Sequence, residues 1–288
     1  MKSDFSKLAT TDYGNILSND HFINFSIGIM VELKEGNQSV KIDGGELVGY
    51  VVDGHQYIHQ KGSPGWRNSD TEMFPIIGPT AEAGFQIQTP RDIAIQDQHG
   101  LLRELDFELV SESDTEAVFK KVYKANTPVQ NSKHPEKSNK KFLFWTYDFE
   151  FEKKFIVTEK GLEITFTVIG ERDTPFMLGY HPAFNLVTKN PIVIAEENAI
   201  TLPQVLAVGN RAFKVIGYEE VILKDKNELR IATEGFGNFM LWTEVPNMIC
   251  IEPITFYPYD VEQKDLHEGF QFLETGKKEF KVRISVVN

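Results

Sequence analysis

Three positions carry side chains suited to acid–base chemistry: His99, His181 and Glu252. His181 lies in Gly179-Tyr-His-Pro-Ala-Phe-Asn-Leu, beside a rigid proline and the aromatic Phe184. An imidazole changes charge near neutral pH, so it can give or take a proton in water. Glu252 directly follows the apolar run Met248-Ile-Cys-Ile. A carboxylate at the end of a buried strand is costly without partners. Such a setting raises its pKa from about 4.3 toward the working pH, which suits a general base. His99, in Gln98-His-Gly, reads as a strand end or turn. Taken singly, each residue also has a plain reading, as a surface histidine or a strand-end charge reaching water. Taken together, they predict an acid–base pair with His181 as one half.

Other chemistries find no support in the sequence. It has no GxSxG elbow, no GxxxxGK[ST] loop, no HExxH and no GxGxxG between strand and helix. His55 and His59 form an HxxxH pair, but Gly54, Tyr57 and Gly62-Ser-Pro-Gly argue for strand and loop. Four residues along a strand span roughly 13 Å, too far for two ligands of one metal. No metal or cofactor is expected.

The elements that must position these residues read as strands. Leu143, Trp145, Tyr147, Phe149 and Phe151 fall on one face of 141–151, with the period of two of a strand. Gly161–Gly170 repeats the pattern with Leu162, Ile164, Phe166 and Val168, and Phe280, Val282, Ile284 and Val286 repeat it near the C-terminus. Further strands are expected over 22–33, 39–42, 46–52, 107–110, 117–124, 212–223, 228–232, 239–243 and 248–251. No sustained helical stripe is present. Gly62–Asn68 reads as a loop with an exposed Trp66, and loops on a sheet scaffold often carry binding groups. Residues 126–140 are polar and read as a solvated hairpin loop, and 1–20 as a loosely packed lead-in. Short strands and Gly/Pro turns throughout predict an all-β, large antiparallel β-sandwich, and no linker divides residues 1–288 into more than one domain.

The chain has 288 residues and a formal net charge of -12. That field repels nucleic acid and anionic membranes, so neither is an expected partner. The lone Cys250 excludes an intrachain disulfide. No apolar run reaches the roughly 18 residues needed to span a bilayer, and the start lacks the features of a signal peptide. A soluble, cytoplasmic protein is expected, as a monomer or homodimer. The 22 Phe, 9 Tyr and 3 Trp are enough to fill a sheet core and still line a cleft for a sugar ring.

The order and spacing of several short motifs resemble the aldose 1-epimerase, or galactose mutarotase, family. They are Gly45-Glu-Leu, Phe74-Pro-Ile-Ile-Gly, Gln98-His-Gly-Leu-Leu-Arg, His181-Pro-Ala-Phe-Asn, Leu241-Trp-Thr and Cys250-Ile-Glu-Pro, from about Gly44 to the C-terminus. The tone of the match is nearest to the bacterial branch of uncertain sugar preference. The resemblance implies a β-supersandwich with an open cleft, a monosaccharide as small-molecule substrate, and no cofactor. It implies that Glu252 is the catalytic base, His181 the catalytic acid, and His99 a second histidine that holds the sugar. A carboxylate and an imidazolium on opposite sides of a pyranose would deprotonate the C1 hydroxyl and protonate the ring oxygen in one step.

One place departs from the family. Where many members have a sugar-contacting arginine after Phe-Pro-x-x-Gly, this chain has Pro79, with neither a side-chain donor nor a backbone N–H. Arg103 fits the Gln-His-Gly-x-x-Arg pattern and is the expected substitute, with Arg67 second. Trp66 and Phe184 complete the expected sugar-binding set. The alternatives are a sugar-binding or regulatory protein that kept the cleft without turnover, and a glycoside hydrolase. The hydrolase needs two flanking carboxylates, and only Glu252 qualifies.

Overall fold

A computed structural model describes residues 29–287. The expected lead-in and most of the expected strand 22–33 lie outside them. Every named strand pair is antiparallel, and the strands form three larger sheets. The fold is all-β, as expected.

The largest sheet has nine strands, with Glu228–Glu234, Lys277–Val287, Gly161–Gly170, Phe149–Thr158 and Glu116–Tyr123 side by side at its centre. Their period-two apolar residues meet in register: Phe151 opposite Val168, Phe166 opposite Phe280, and Ile164 opposite Val282. All of these are fully buried, and each aromatic or aliphatic side chain so buried contributes about 1.5–3 kcal/mol. A six-stranded sheet packs on that face. Phe74 touches Phe149 and Phe151 (ring centroids 4.9 and 5.4 Å), and Tyr180 touches Phe166 (4.9 Å). A four-stranded N-terminal sheet, Met30–Glu35 to His55–Gln56, adjoins the large sheet, with Gln38 Nε2 donating to the Thr158 carbonyl at 2.7 Å.

Met248–Ile254 is the strand that makes the site. All seven of its residues are buried. Ile249 and Ile251 join the main core, whereas Met248 and Cys250 form a small cluster with Ala183, covered by Trp66, Trp242 and Val245. Side chains alternate along a strand, so Glu252 projects on the Cys250 side. It therefore stands within a strand, not just beyond one as the apolar run suggested. Phe213–Ile216 and Asn238–Trp242 pair outward from it on one side, Gly179–Tyr180 and Glu72–Met73 on the other.

Three expectations need correction. The strand over 141–151 breaks at Trp145–Asp148: Leu143 pairs with Val129, and only from Phe149 does the chain join Tyr123. The five alternating residues are all buried nonetheless, so the phase holds across two different sheets. The span 212–223 divides at Gly217 (φ 83°) into Phe213–Ile216 and Glu220–Lys224, which belong to different sheets. Residues 126–140 do not form a free loop. Asn131 Nδ2 donates to Asp97 Oδ2 (2.9 Å), and Lys133 Nζ to Asp97 Oδ1 (2.9 Å) and the Gln98 carbonyl (3.1 Å). The hairpin is thereby pinned to the turn that carries His99. A short helix, Leu202–Val208, also escaped the apolar pattern because only Leu202 and Val205 are buried. Its signal was Thr201 three residues before Gln204, whose side chain accepts the Thr201 N–H at 2.8 Å.

Candidate active site

His181 is fixed by backbone on both sides. Gly179–Tyr180 pairs with Ile254 and with Glu72–Met73, and Ala183–Asn185 returns to pair with Met248–Cys250. Between them the His181 N–H donates to the Thr71 carbonyl (2.8 Å), and the Pro182 carbonyl accepts from the Ile251 N–H (3.3 Å). A Cβ at Gly179 would lie 2.4 Å from the terminal methyl of Met73, so a larger residue here would have to displace that side chain. The imidazole stacks on Trp66, with centroids 4.4 Å apart and planes 23° apart. Trp242 meets it edge-on at 6.1 Å.

Trp66 is half-buried rather than exposed, and its carbonyl sits 3.1 Å from His59 Nε2. That contact gives the buried His59 a structural partner. Gly65 (φ 118°) brings this loop against Val245 and Met248, where a Cβ would come within 2.5 Å of Val245.

His99 occupies a turn with φ 72°, unusual for a residue with a Cβ. The following Gly100 passes so close to Phe74 that a Cβ would lie 2.2 Å from its carbonyl oxygen. The Gly78 N–H donates to His99 Nδ1 (3.3 Å), and His99 Nε2 lies 3.1 Å from the Gln98 side-chain amide nitrogen. The His99 and His181 ring centroids are 6.0 Å apart.

Glu252 faces His181 directly, with Oε1 3.4 Å from Nε2. Both carboxyl oxygens lack a hydrogen-bond partner among the described residues, and Glu252 is only 1% exposed. Burial pushes its pKa well above the ordinary value, against the pull of the Arg103 charge. Burial, and then the same guanidinium, pushes the His181 pKa well below the ordinary value. His99 is displaced downward likewise, by burial first and then by Arg103, His181 and Lys133. Arg103 lies on the short turn Leu102–Glu104, and its Nε donates to the Glu72 carbonyl at 3.0 Å. Burial lowers its pKa to about 10, with Glu252 and Glu72 pulling it back up.

Glu252, His181, His99, Arg103 and Trp66 all line one cleft of about 550 Å³. Arg67 is exposed and lies outside that lining. Phe184 is fully buried in the main core, paired with Ile249 and bridged to Ile58, and does not reach the cleft. The alternation that turns Cys250 toward the cleft side turns its neighbour Phe184 inward. Trp242, Tyr259, Lys133 and Lys137 line the cleft without having been singled out. Trp242 had a signal in Leu241-Trp-Thr; the lysines arrive only through the docked hairpin.

Ligand atoms of His181, Cys250 and Glu252 lie within 4.8 Å of one another. That donor set suits a soft cation, but the Arg103 charge beside Glu252 opposes one, and burial raises the Cys250 pKa well above its usual value. His181 and Glu252, expected as the two halves of an acid–base pair, are brought together 3.4 Å apart at the same end of the cleft.

Comparison with known proteins bears on the fold and the family. The sequence model of the family described as Aldose 1-epimerase matches residues 30–212. None of the curated proteins matches the sequence. Among solved structures, a galactose mutarotase-like protein from Lactobacillus casei superposes with TM-score 0.68 at 18% identity, covering 90% of this chain and 100% of the other. A galactose mutarotase related enzyme from Lactobacillus acidophilus gives 0.67 at 18%, covering 90% and 98%. An aldose epimerase homologue from C. elegans gives 0.65 at 12%, covering 91% and 100%. At such identities the likeness establishes a shared fold.

Proposed function

The chain belongs to the aldose 1-epimerase family, and from that premise we propose that it interconverts the α and β anomers of a free aldose. The observation that carries the proposal is the buried contact between His181 Nε2 and Glu252 Oε1, 3.4 Å, inside a cleft of sugar size. Glu252 takes the proton of the C1 hydroxyl while His181 protonates the ring oxygen. The C1–O5 bond breaks, and the sugar opens to its aldehyde. Rotation about C1–C2 presents the other face, and the two groups run in reverse to close the ring.

The pair holds one proton throughout. In the ring-closed complex that proton is on His181, leaving Glu252 a carboxylate. After opening, Glu252 holds a proton and His181 is neutral, which is the distribution that burial favours in the free protein. Arg103 supports the carboxylate form, His99 binds the sugar near its ring oxygen, and Trp66 keeps the His181 ring oriented by stacking.

Polarimetry of freshly dissolved α-glucose and α-galactose tests the proposal. Each positioned proton-transfer group contributes roughly 10²–10⁴-fold, so Glu252→Gln and His181→Asn should each lower kcat by about that factor. Sugar binding by calorimetry, with no acceleration of any of several aldoses, would replace the enzyme with a non-catalytic sugar-binding protein.

A further inference from the structure

Unlike Glu252, His99 and Arg103 stand on no strand. They belong to the stretch 97–104, between the strands Ile93–Ile95 and Glu108–Glu112, whose one regular piece is the short turn Leu102–Glu104. Backbone bonds hold the middle of this stretch. The His99 N–H donates to the Gly78 carbonyl (3.2 Å), the Phe74 N–H to the His99 carbonyl (3.2 Å), and the Leu102 N–H to the Phe74 carbonyl (3.1 Å). Lys121 Nζ adds a bond to the Leu102 carbonyl (2.9 Å). His99 nonetheless keeps a φ of 72°, which costs free energy and persists only where the surroundings fix it.

The two ends of the stretch are held by side chains, and three consecutive residues of one hairpin supply all of the partners. That hairpin joins the paired strands Val129–Gln130 and Phe142–Leu143. At the first end, Asp97 takes Asn131 Nδ2 on one carboxylate oxygen and Lys133 Nζ on the other (both 2.9 Å). The second oxygen also accepts the Gln98 N–H (2.6 Å), and the Asp97 carbonyl accepts the Gly100 N–H (3.0 Å), so the grip passes directly into the turn around His99. At the other end, Glu104 Oε1 accepts the Ser132 hydroxyl (2.8 Å) and Oε2 the Ser132 N–H (3.3 Å). Asn131 ties this grip into the hairpin itself. Its Nδ2 reaches the Lys140 carbonyl (3.0 Å), and its Oδ1 accepts the Lys133 N–H (3.0 Å).

Incidental packing of a surface hairpin would scatter such bonds over whatever lay beneath it. Here they fall on the first and last residues of the one stretch that carries both His99 and Arg103. The first end is also built rather than superficial, since Asn131 is 1% exposed and Asp97 6%. Burial works to raise the Asp97 pKa, yet bonds from Lys133, Asn131 and Ser138 hold it below the ordinary value, so the acceptor is a charged carboxylate. Bonds to a charged acceptor are the stronger kind. Neither Asp97 nor Glu104 lines the cleft. We infer that Asp97, Glu104, Asn131 and Ser132 are positioning residues, a clamp that fixes where His99 and Arg103 stand in the cleft. The clamp rests on this geometry; its effect on rate rests on the mutarotase reading.

Hydrogen exchange read by mass spectrometry tests the clamp on the sugar-free full chain. Asn131→Asp sets a second carboxylate against Asp97, and Glu104→Ala frees the other end from a partly exposed position. Each should raise exchange across 97–104 about tenfold and leave Gly161–Gly170 protected. Polarimetry should show KM for α-glucose or α-galactose raised about three- to tenfold, with kcat changed less. In a His99→Ala background, either substitution should move KM by less than about twofold, because the residue through which the clamp acts is gone. Unchanged exchange in both variants, a rise shared equally by Gly161–Gly170, or an unchanged KM despite faster exchange overturns the clamp as a positioning device. No acceleration by the unaltered chain would overturn the mutarotase reading instead, and the exchange result would still decide the clamp.

Discussion

Replacing Lys153 by methionine tests whether the buried charge cluster behind the cleft holds the two sheets together. Lys153 Nζ is 2.7 Å from Asp70 Oδ2 and 2.6 Å from Glu72 Oε1, and the three side chains are 1%, 0% and 4% exposed. Asp70 also accepts the Tyr180 hydroxyl (2.6 Å) and the Leu47 N–H (2.9 Å). Lys153 stands on the nine-stranded sheet, Glu72 and Tyr180 on the six-stranded one. Methionine keeps most of the stem volume and removes the charge, leaving two carboxylates buried together. Breaking a buried pair this way costs about 3–5 kcal/mol. An exposed pair such as Lys124–Asp148, 74% and 53% exposed, is worth no more than about 1 kcal/mol.

The pH dependence carries its own sign. With Lys153 present, burial already raises the Asp70 pKa to about 7, against the pull of the lysine. Without it, burial and mutual repulsion raise the Asp70 pKa further, and the main pull that holds the Glu72 pKa below its ordinary value is gone. A group whose folded pKa is raised stabilises the fold at low pH and loses that contribution as pH rises. The deficit of Lys153→Met should therefore be small near pH 5 and complete at pH 8. Urea unfolding at both values measures it. A loss below about 1 kcal/mol at pH 8, or a loss that grows as pH falls, would refute the reasoning.

Two further predictions concern the cleft. Trp66→Ala removes the ring stacked on His181 at 4.4 Å; such a contact is worth about 0.5–1.5 kcal/mol, so kcat should fall about two- to twelvefold, and Trp66→Phe should recover most of it, as read by polarimetry. The pH profile of kcat/KM should be a broad bell, since His181 is displaced below 6.5 and Glu252 above 4.5, and the one-proton pair persists between the two limbs. The acid limb, where a second proton binds, should lie below pH 6.5; a half-maximum at or above that value would mean an unshifted imidazole and an open, solvated site.

What the sequence made legible followed from short-range physics. The alternation in Gly161–Gly170 is a strand of the same bounds in the structure, because one buried face imposes a period of two wherever the pairing partners are. Lys153 broke that rule visibly: it falls in the buried phase between Phe151 and Phe155, a sign that a counter-charge must meet it. Its partners, Asp70 and Glu72, lie far away in sequence, and periodicity holds no information on distant pairing. Glu252 was misplaced for a related reason. A strand buried on both faces reads as a continuous apolar run, so a carboxylate inside it looks like the run's end. The two lysines of the docked hairpin were hidden because their polarity suits open solvent equally well.

The acid–base pair shows most clearly where such inference stops. Residue types identify an imidazole and a carboxylate, and spacing along the chain leaves their separation free. Chemistry constrains it more tightly. The oxygen that loses a proton and the oxygen that gains one share a single carbon, so their partners must be neighbours. Neighbouring groups that share one proton must also be shielded from water, or each would titrate alone. The strand Met248–Ile254 and the Pro182 turn satisfy both demands by pairing with each other. The pairing that brings His181 to Glu252 leaves both side chains buried, and burial is the first cause of both pKa displacements.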